Sequence, residues 1–183
     1  MKGGIKEMQL YSKAVPELRD AMDLAYLTGQ RPADVLRMRA ADVVDGFLMV
    51  AQGKTSKKLK IRLALGDELN GLGLLIDRLM AQREVRGVLH PYLVVTVDGR
   101  HLTKVMLRHR FDDARESAIS KALESRDRTL AESVRNFQFR DIRPKAASEI
   151  DDLGDASRLL GHSDKRITET VYRRVGEIVK PTR

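Results

Sequence analysis

From Lys58 to Leu63 the sequence KLKIRL alternates without exception, with Lys58, Lys60 and Arg62 set against Leu59, Ile61 and Leu63. A period of two belongs to a β-strand and not to the 3.6-residue repeat of a helix. The segment must therefore lay one face on a core and turn the other, wholly basic face outward. Asp45-Gly46 signals a turn, Phe47 to Ala51 is apolar and extended in character, and Gly53-Lys54-Thr55-Ser56 separates the two runs as a loop. The spacing predicts a β-hairpin or short meander with one basic face.

Almost everything around that segment repeats with helical spacing. From about Lys13, the residues Val15, Leu18, Met22, Ala25 and Tyr26 share one face, and Thr28-Gly29 ends the pattern. Pro32 suits a first helical position, so PADVLRMR is expected as a second helix with Arg31 just before it and Asp34 in its first turn. Further helices are expected over 67–86, over 103–124, from Asp141 with Pro144 in the first turn, over 155–160, and around Tyr172. Gly71 and Gly73 each cost about 1 kcal/mol inside a helix. Tyr92 to Val97 suggests a short strand closed by Asp98-Gly99, and ESRDRTLAESVRN a polar, loop-rich stretch. The expected fold is mainly α with a small antiparallel β-sheet, an α+β domain over residues 10–183 behind a flexible lead-in over 1–9.

A chain of 183 residues can bury about 70% of its unfolded surface as one domain, so it needs no staples. It contains no cysteine, which excludes disulfides, thiolate metal sites and a thiol nucleophile. His90, His101, His109 and His162 are scattered without ligand spacing, and no metal or cofactor is expected. The acidic pairs Asp112-Asp113 and Asp151-Asp152 read as surface charges and helix starts rather than as a two-metal nuclease site. No apolar run approaches a membrane span and no signal peptide opens the chain, so a cytoplasmic protein is expected. The net charge of +8 favours a polyanionic partner.

Four islands carry the residues of chemical interest: TGQRPAD (28–34), QGKTSKK (52–58), FRDIRPKAAS (139–148) and LLGHSDKRITETVYRR (159–174). Brought together, they would assemble Arg31, Arg143, Lys54, His162 and Tyr172. That set suits a phosphodiester. Planar guanidiniums hold non-bridging oxygens as charge builds on them, neighbouring cations favour a phenolate, and a lysine protonates a leaving alkoxide. Taken singly, each residue has a plain structural alternative. Arg31 can be a surface residue at a helix start, Lys54 one of several hairpin cations, His162 a cap on the preceding helix, and Tyr172 a half-buried aromatic beside Ile167 and Val171.

In their order and spacing, the four islands resemble the catalytic domain of the tyrosine recombinases of phage integrase type, over about residues 10–176. TGQRPADVLRMRAADV is similar to the box around that family's first arginine, with Asp34 as its supporting acidic residue. GKTSKK is similar to the turn bearing the hairpin lysine, FRDIRPKAAS to the His-x-x-Arg box, and LLGHSD to the box of the second histidine. Two departures stand out. Arg140 occupies the place usually held by histidine and cannot exchange a proton at relevant pH. The interval from His162 to Tyr172 is one residue longer than the commonest version.

The resemblance implies a site-specific recombinase that cleaves and rejoins DNA through a 3′-phosphotyrosyl bond on Tyr172. Arg31, Arg140 and Arg143 would hold the phosphate, Lys54 would protonate the leaving 5′-oxygen, and His162 would assist. Lys57, Lys58, Lys60, Arg173 and Arg174 would contact DNA. It further implies double-stranded attachment sites as partners, a homotetramer on DNA with a monomer as the alternative without it, and a catalytic-domain fragment lacking the family's N-terminal DNA-binding segments. The alternatives are a type IB topoisomerase-like relaxation enzyme and a non-catalytic DNA-binding module.

Overall fold

The computed structural model describes residues 4–150 and 152–161. The expectations for Asp151, His162, Tyr172, Arg173 and Arg174 fall outside the described residues.

The centre of the molecule is the second helix. Helix α1 (Ile5–Lys13) leads into α2 (Pro16–Thr28), whose Leu18, Ala21, Met22, Leu24 and Ala25 are all buried. Around α2 pack α3 (Pro32–Val35), α4 (Gly71–Val85), α5 (Lys104–Glu124) and α7 (Ile142–Ser148). Helix α6 (Arg128–Asn136) lies against α1 and α5, and α8 (Leu153–Leu160) against α7. Of the expected stripe, Leu18, Met22 and Ala25 lie in the core and Tyr26 is half-buried against it, whereas Val15, at the cap before the helix, is 42% exposed.

The period-two segment forms the expected hairpin. Strands β1 (Val43–Val44), β2 (Phe47–Ala51) and β3 (Lys58–Arg62) make one antiparallel sheet in that order, and β4 (Ala64–Leu65) pairs with β5 (Glu68–Leu69). Asp45 and Gly46 both take positive φ, 49° and 75°, the pattern of a two-residue turn whose twist matches its strands. The register pairs Leu48 with Ile61 and Val50 with Leu59, with Leu48 and Val50 buried. On the outer face Met49 opposes Lys60 and Ala51 opposes Lys58. The Lys60 ammonium stands 4.9 Å and the Arg62 guanidinium 5.6 Å from the Phe47 ring centre, so the aromatic edge of the hairpin holds two of its cations by cation–π attraction.

Several local expectations are corrected. Residues 5–9 are not a flexible lead-in but the first half of α1, which is fastened by the buried Leu10. ESRDRTLAESVRN is mostly helical: Asp127 caps α6 by accepting from the Leu130 amide at 2.8 Å, and Ala131 and Val134 are buried. The apolar residues of α6, Leu130, Ala131 and Val134, share one face, but the rest of the nine-residue helix is polar and charged and masks that face in the sequence. The helix after Arg31 is a single turn, and the PADVLRMR pattern continues as turns. Tyr92 to Val97 forms no strand and makes isolated bridges only, Tyr92 with Arg39 and Val95 with His101. Gly73, a cost on propensity alone, is required by packing, because a Cβ there would stand 2.1 Å from the Leu63 carbonyl oxygen.

Candidate active site

The loop leaving α2 sets the first arginine. Gly29 takes φ 62°, the left-handed conformation that stops a helix, and a Cβ on it would stand 3.1 Å from Leu159 Cδ2. The chain then turns through Gln30 into α3, where the Arg31 carbonyl accepts from the amides of Asp34 and Val35 at 2.9 and 3.0 Å. The Arg31 side chain is half-buried. Its Nη1 is fully shielded and has no hydrogen-bond partner among the described residues. A shielded guanidinium nitrogen without an acceptor costs free energy until an anion arrives.

Arg143 comes from α7 to the same place. Its Nη1 donates to the Gly29 carbonyl at 2.5 Å and its Nη2 to the Leu160 carbonyl at 2.7 Å. Burial, and then the nearby Arg31 cation, push its pKa down from the ordinary arginine range to about 10, while Asp34 acts in the opposite sense. Two mutually repelling guanidiniums are thus held together by the fold, with one carboxylate close by.

That carboxylate is already engaged. Asp34, only 4% exposed, accepts from the Gly53 amide at 2.9 Å and from the Arg37 guanidinium. It ties α3 to the hairpin turn, a more specific role than a favourable charge at a helix start. Gly53 also lies against the Arg37 guanidinium, so a side chain there would have to displace the end of that arginine. On the hairpin side of Asp34 opens a cleft lined by Arg37, Arg39, Met49, Lys58 and Leu59. Lys54, Lys57, Lys58 and Lys60 are all exposed along the turn and the outer face of the sheet.

Two residues that the sequence reading did not single out join these parts. Gln30 and Gln52 are 1% and 2% exposed, and the Gln52 amide nitrogen donates to Gln30 Oε1 at 2.7 Å and to the Leu160 carbonyl at 3.0 Å. The Gln30 amide nitrogen donates to the carbonyls of Thr28 and Leu159 at 2.7 and 3.0 Å. The last carbonyls of α8, which no intrahelical donor can satisfy, are taken by Gln30, Gln52 and Arg143. The signal in the sequence was only that each glutamine sits next to a predicted site in TGQR and QGK.

Three of the four islands therefore meet at the C-terminal end of α8, where Gly161 takes φ 65° and the chain runs on to His162. Arg140 sits on a 3₁₀ turn, Phe139–Asp141, exposed to solvent. The acidic pairs have other occupations: Asp112 makes ion pairs with Arg115 at 2.7 Å and Arg108 at 3.7 Å, and Asp152 caps α8. Among the described residues no three histidines, aspartates or glutamates are grouped to hold a metal, and no helix is long and apolar enough to cross a membrane.

Comparison with known proteins places this geometry. The chain is 46% identical over 57 residues to the integrase of Escherichia phage lambda, a stretch covering 31% of this chain and 16% of that protein. It is 27% identical over 162 residues to the integrase of Enterobacteria phage P21, covering 86% of this chain and 40% of that protein. It thus spans less than half the length of these curated relatives. Its fold superposes on a lambda integrase tetramer bound to a Holliday junction with a TM-score of 0.71 at 21% identity, covering 100% of this chain and 50% of that one. The lambda integrase catalytic core superposes with a TM-score of 0.62 at 25% identity, covering 86% of this chain and 92% of that core. The mainly helical fold with its small antiparallel sheet is that of the lambda integrase catalytic domain. The model of the phage integrase family matches residues 6–177, and the chain belongs to that family.

Proposed function

We propose that this chain is the catalytic domain of a site-specific DNA recombinase that breaks and rejoins strands through a covalent bond to Tyr172. The observation that carries the reading is the pair Arg31 and Arg143. One has a shielded Nη1 with no partner among the described residues, and the other has its pKa lowered by burial and by its neighbour. Such a pair is stabilised by a dianionic or trigonal oxyanion placed between its forks, as in phosphoryl transfer.

In this mechanism the Tyr172 oxygen attacks the scissile phosphorus and the bond to the 5′-oxygen breaks. Lys54 delivers a proton to that oxygen, and DNA is left attached through its 3′-phosphate. Arg31 and Arg143, with Arg140, offset charge on the non-bridging oxygens. Arg140 stays cationic throughout, so any proton taken from the tyrosine goes to His162 or water. A 5′-hydroxyl of a partner duplex then attacks the phosphotyrosine and reverses the step, restoring the tyrosine and joining the strands. Because the bond energy is conserved in the intermediate, the chemistry requires neither nucleotide nor metal.

The partners proposed are double-stranded attachment sites, gripped by Lys57, Lys58, Lys60, Arg173 and Arg174, and three further copies of the chain, with action in the bacterial cytoplasm. Support comes from the lambda integrase solved as a tetramer on a Holliday junction. The test is incubation with nicked duplex DNA in chelator, scored for an adduct that survives denaturant. The proposal expects an adduct with the native chain and none with Tyr172→Phe. An equal yield from both, or dependence on divalent metal, overturns it. Relaxation of plasmids of any sequence would favour topoisomerase-like action instead.

A further inference from the structure

Lys54 is exposed on a turn, where a long side chain is ordinarily the least constrained part of a protein. The backbone on either side of it is nevertheless pinned. Gln52 N donates to the Lys57 carbonyl at 2.9 Å, Gly53 N to Asp34 Oδ1 at 2.9 Å, and Thr55 Oγ1 to Gln52 Oε1 at 2.5 Å. Gln52 is itself buried and bonded outward to Gln30 and to the end of α8.

The amide pair is fully spent. Each glutamine nitrogen has two N–H groups, and all four find an oxygen: Gln30 Oε1 and the Leu160 carbonyl for Gln52, the Thr28 and Leu159 carbonyls for Gln30. The carbonyl acceptors fix the orientation of both amides, because the flipped forms would set oxygen against oxygen. The space is closed as well: a Cβ on Gly161 would meet the Gln52 amide at 2.6 Å. A satisfied, buried polar network of this kind holds one geometry, and its loss leaves the Thr28 and Leu159 carbonyls short of a donor and the Leu160 carbonyl with Arg143 alone.

We propose that Gln30 and Gln52 form a positioning latch that fixes the Lys54 turn against the C-terminal end of α8, so that the proton donor and the chain leading to His162 are set as one unit. Neither glutamine touches the DNA in this account. The inference rests on the reading of Lys54 as the general acid, and it predicts that weakening the latch impairs proton delivery to the leaving oxygen specifically.

The test compares Gln52→Met, Gln30→Met and Lys54→Ala with the native chain. The substrate is a duplex recovered from a randomised pool as a covalent adduct of the native chain, made also with a 5′-bridging sulfur at the scissile position. A thiolate, with a pKa of about 8.5, leaves without needing a proton. On the oxygen substrate, Gln52→Met is expected to form adduct roughly tenfold to a hundredfold more slowly, within the range of a lost general acid, at unchanged DNA affinity. On the sulfur substrate, Gln52→Met and Lys54→Ala should both return to within a few-fold of the native rate.

If Lys54→Ala is restored by sulfur and Gln52→Met is not, the latch is wrong and the Lys54 reading stands. If Lys54→Ala is not restored, that reading fails and the latch loses its catalytic purpose. Amide hydrogen exchange decides the physical coupling independently of activity. In Gln30→Met, residues 53–57 and 159–161 are expected to lose protection together, and a change confined to the neighbourhood of residue 30 overturns the latch.

Discussion

The Gly53 amide donates to Asp34 Oδ1 at 2.9 Å, and through that bond the turn that carries Lys54 is fastened to α3, the helix that Arg31 directly precedes. The same carboxylate binds Arg37 and bears on Arg143. Asp34→Ala is therefore expected to cost about 1 kcal/mol or somewhat more, for the hydrogen bonds that a buried carboxylate makes to the partly exposed Gly53 amide and Arg37 guanidinium. Asp34→Asn keeps an acceptor for Gly53 and should cost less. Chemical denaturation of the two variants checks the order, and equal losses would show that only the charge matters.

Arg31 and Arg143 oppose one another before any anion binds. Replacing Arg31 by Met removes the shielded nitrogen that has no partner among the described residues, and with it the cation that helps depress Arg143. The variant should be as stable as the native chain or more so, by roughly 1 kcal/mol, while failing to form adduct. Inorganic phosphate should raise the Tm of the native chain and leave Arg31→Met almost unmoved. A Tm rise of equal size in both would place the anion elsewhere.

The same pair sets a pH dependence. In the folded chain Arg143 releases its proton at about 10, well below its ordinary value, chiefly through burial. Between those values the unfolded chain holds a proton that the folded chain has lost, so this group's contribution to stability rises with pH across the window. Below about 10 the buried cation is a standing cost. In Arg31→Met the Arg143 pKa moves back up and the window narrows. Unfolding free energies at pH 9 and about 10.5 should differ by less in Arg31→Met than in the native chain, once the titration common to both is subtracted.

The hairpin cations should act through phosphates and not through the fold. Lys58→Gln and Lys60→Gln, both exposed, are each expected to reduce the slope of log affinity against log salt by about 1. Their unfolding midpoints should stay near native, with Lys60→Gln losing only its contact with Phe47. Binding titrations at several salt concentrations read this directly, and unchanged slopes would remove the hairpin from the interface.

Gly71 and Gly73 offer a test of packing. A Cβ at Gly71 meets only Leu27 Cδ2 at 3.4 Å, an ordinary contact, whereas at Gly73 it meets the Leu63 carbonyl oxygen at 2.1 Å. Gly71→Ala is expected within about 1 kcal/mol of native, in line with helix propensity. Gly73→Ala should cost more than 2 kcal/mol, roughly the scale of core overpacking. Thermal unfolding distinguishes them.

What could be read from the chain was whatever leaves a local mark. The alternation of Lys58 to Leu63 gave the hairpin and its basic face, and the stripe from Val15 onward gave the central helix. Arg31, Asp34 and Arg143 were legible as a group because each sits in a short segment whose neighbours are themselves distinctive. Gln30 and Gln52 were not. An uncharged amide carries no pattern, and what makes these two matter is a pairing 22 residues apart and a helix end 108 residues beyond Gln52. Helix α6 was missed because its short apolar face, Leu130, Ala131 and Val134, sits in a stretch that is otherwise polar and charged.

In the proposed mechanism DNA becomes attached to one tyrosine. The native chain would be trapped on a nicked duplex in chelator, digested with nuclease and protease, and the nucleotide-bearing peptide sequenced by mass spectrometry. The expected product is a 3′-phosphate ester on Tyr172. A nucleotide on Tyr11, Tyr26 or Tyr92, on any serine, or linked through a 5′-phosphate would contradict it.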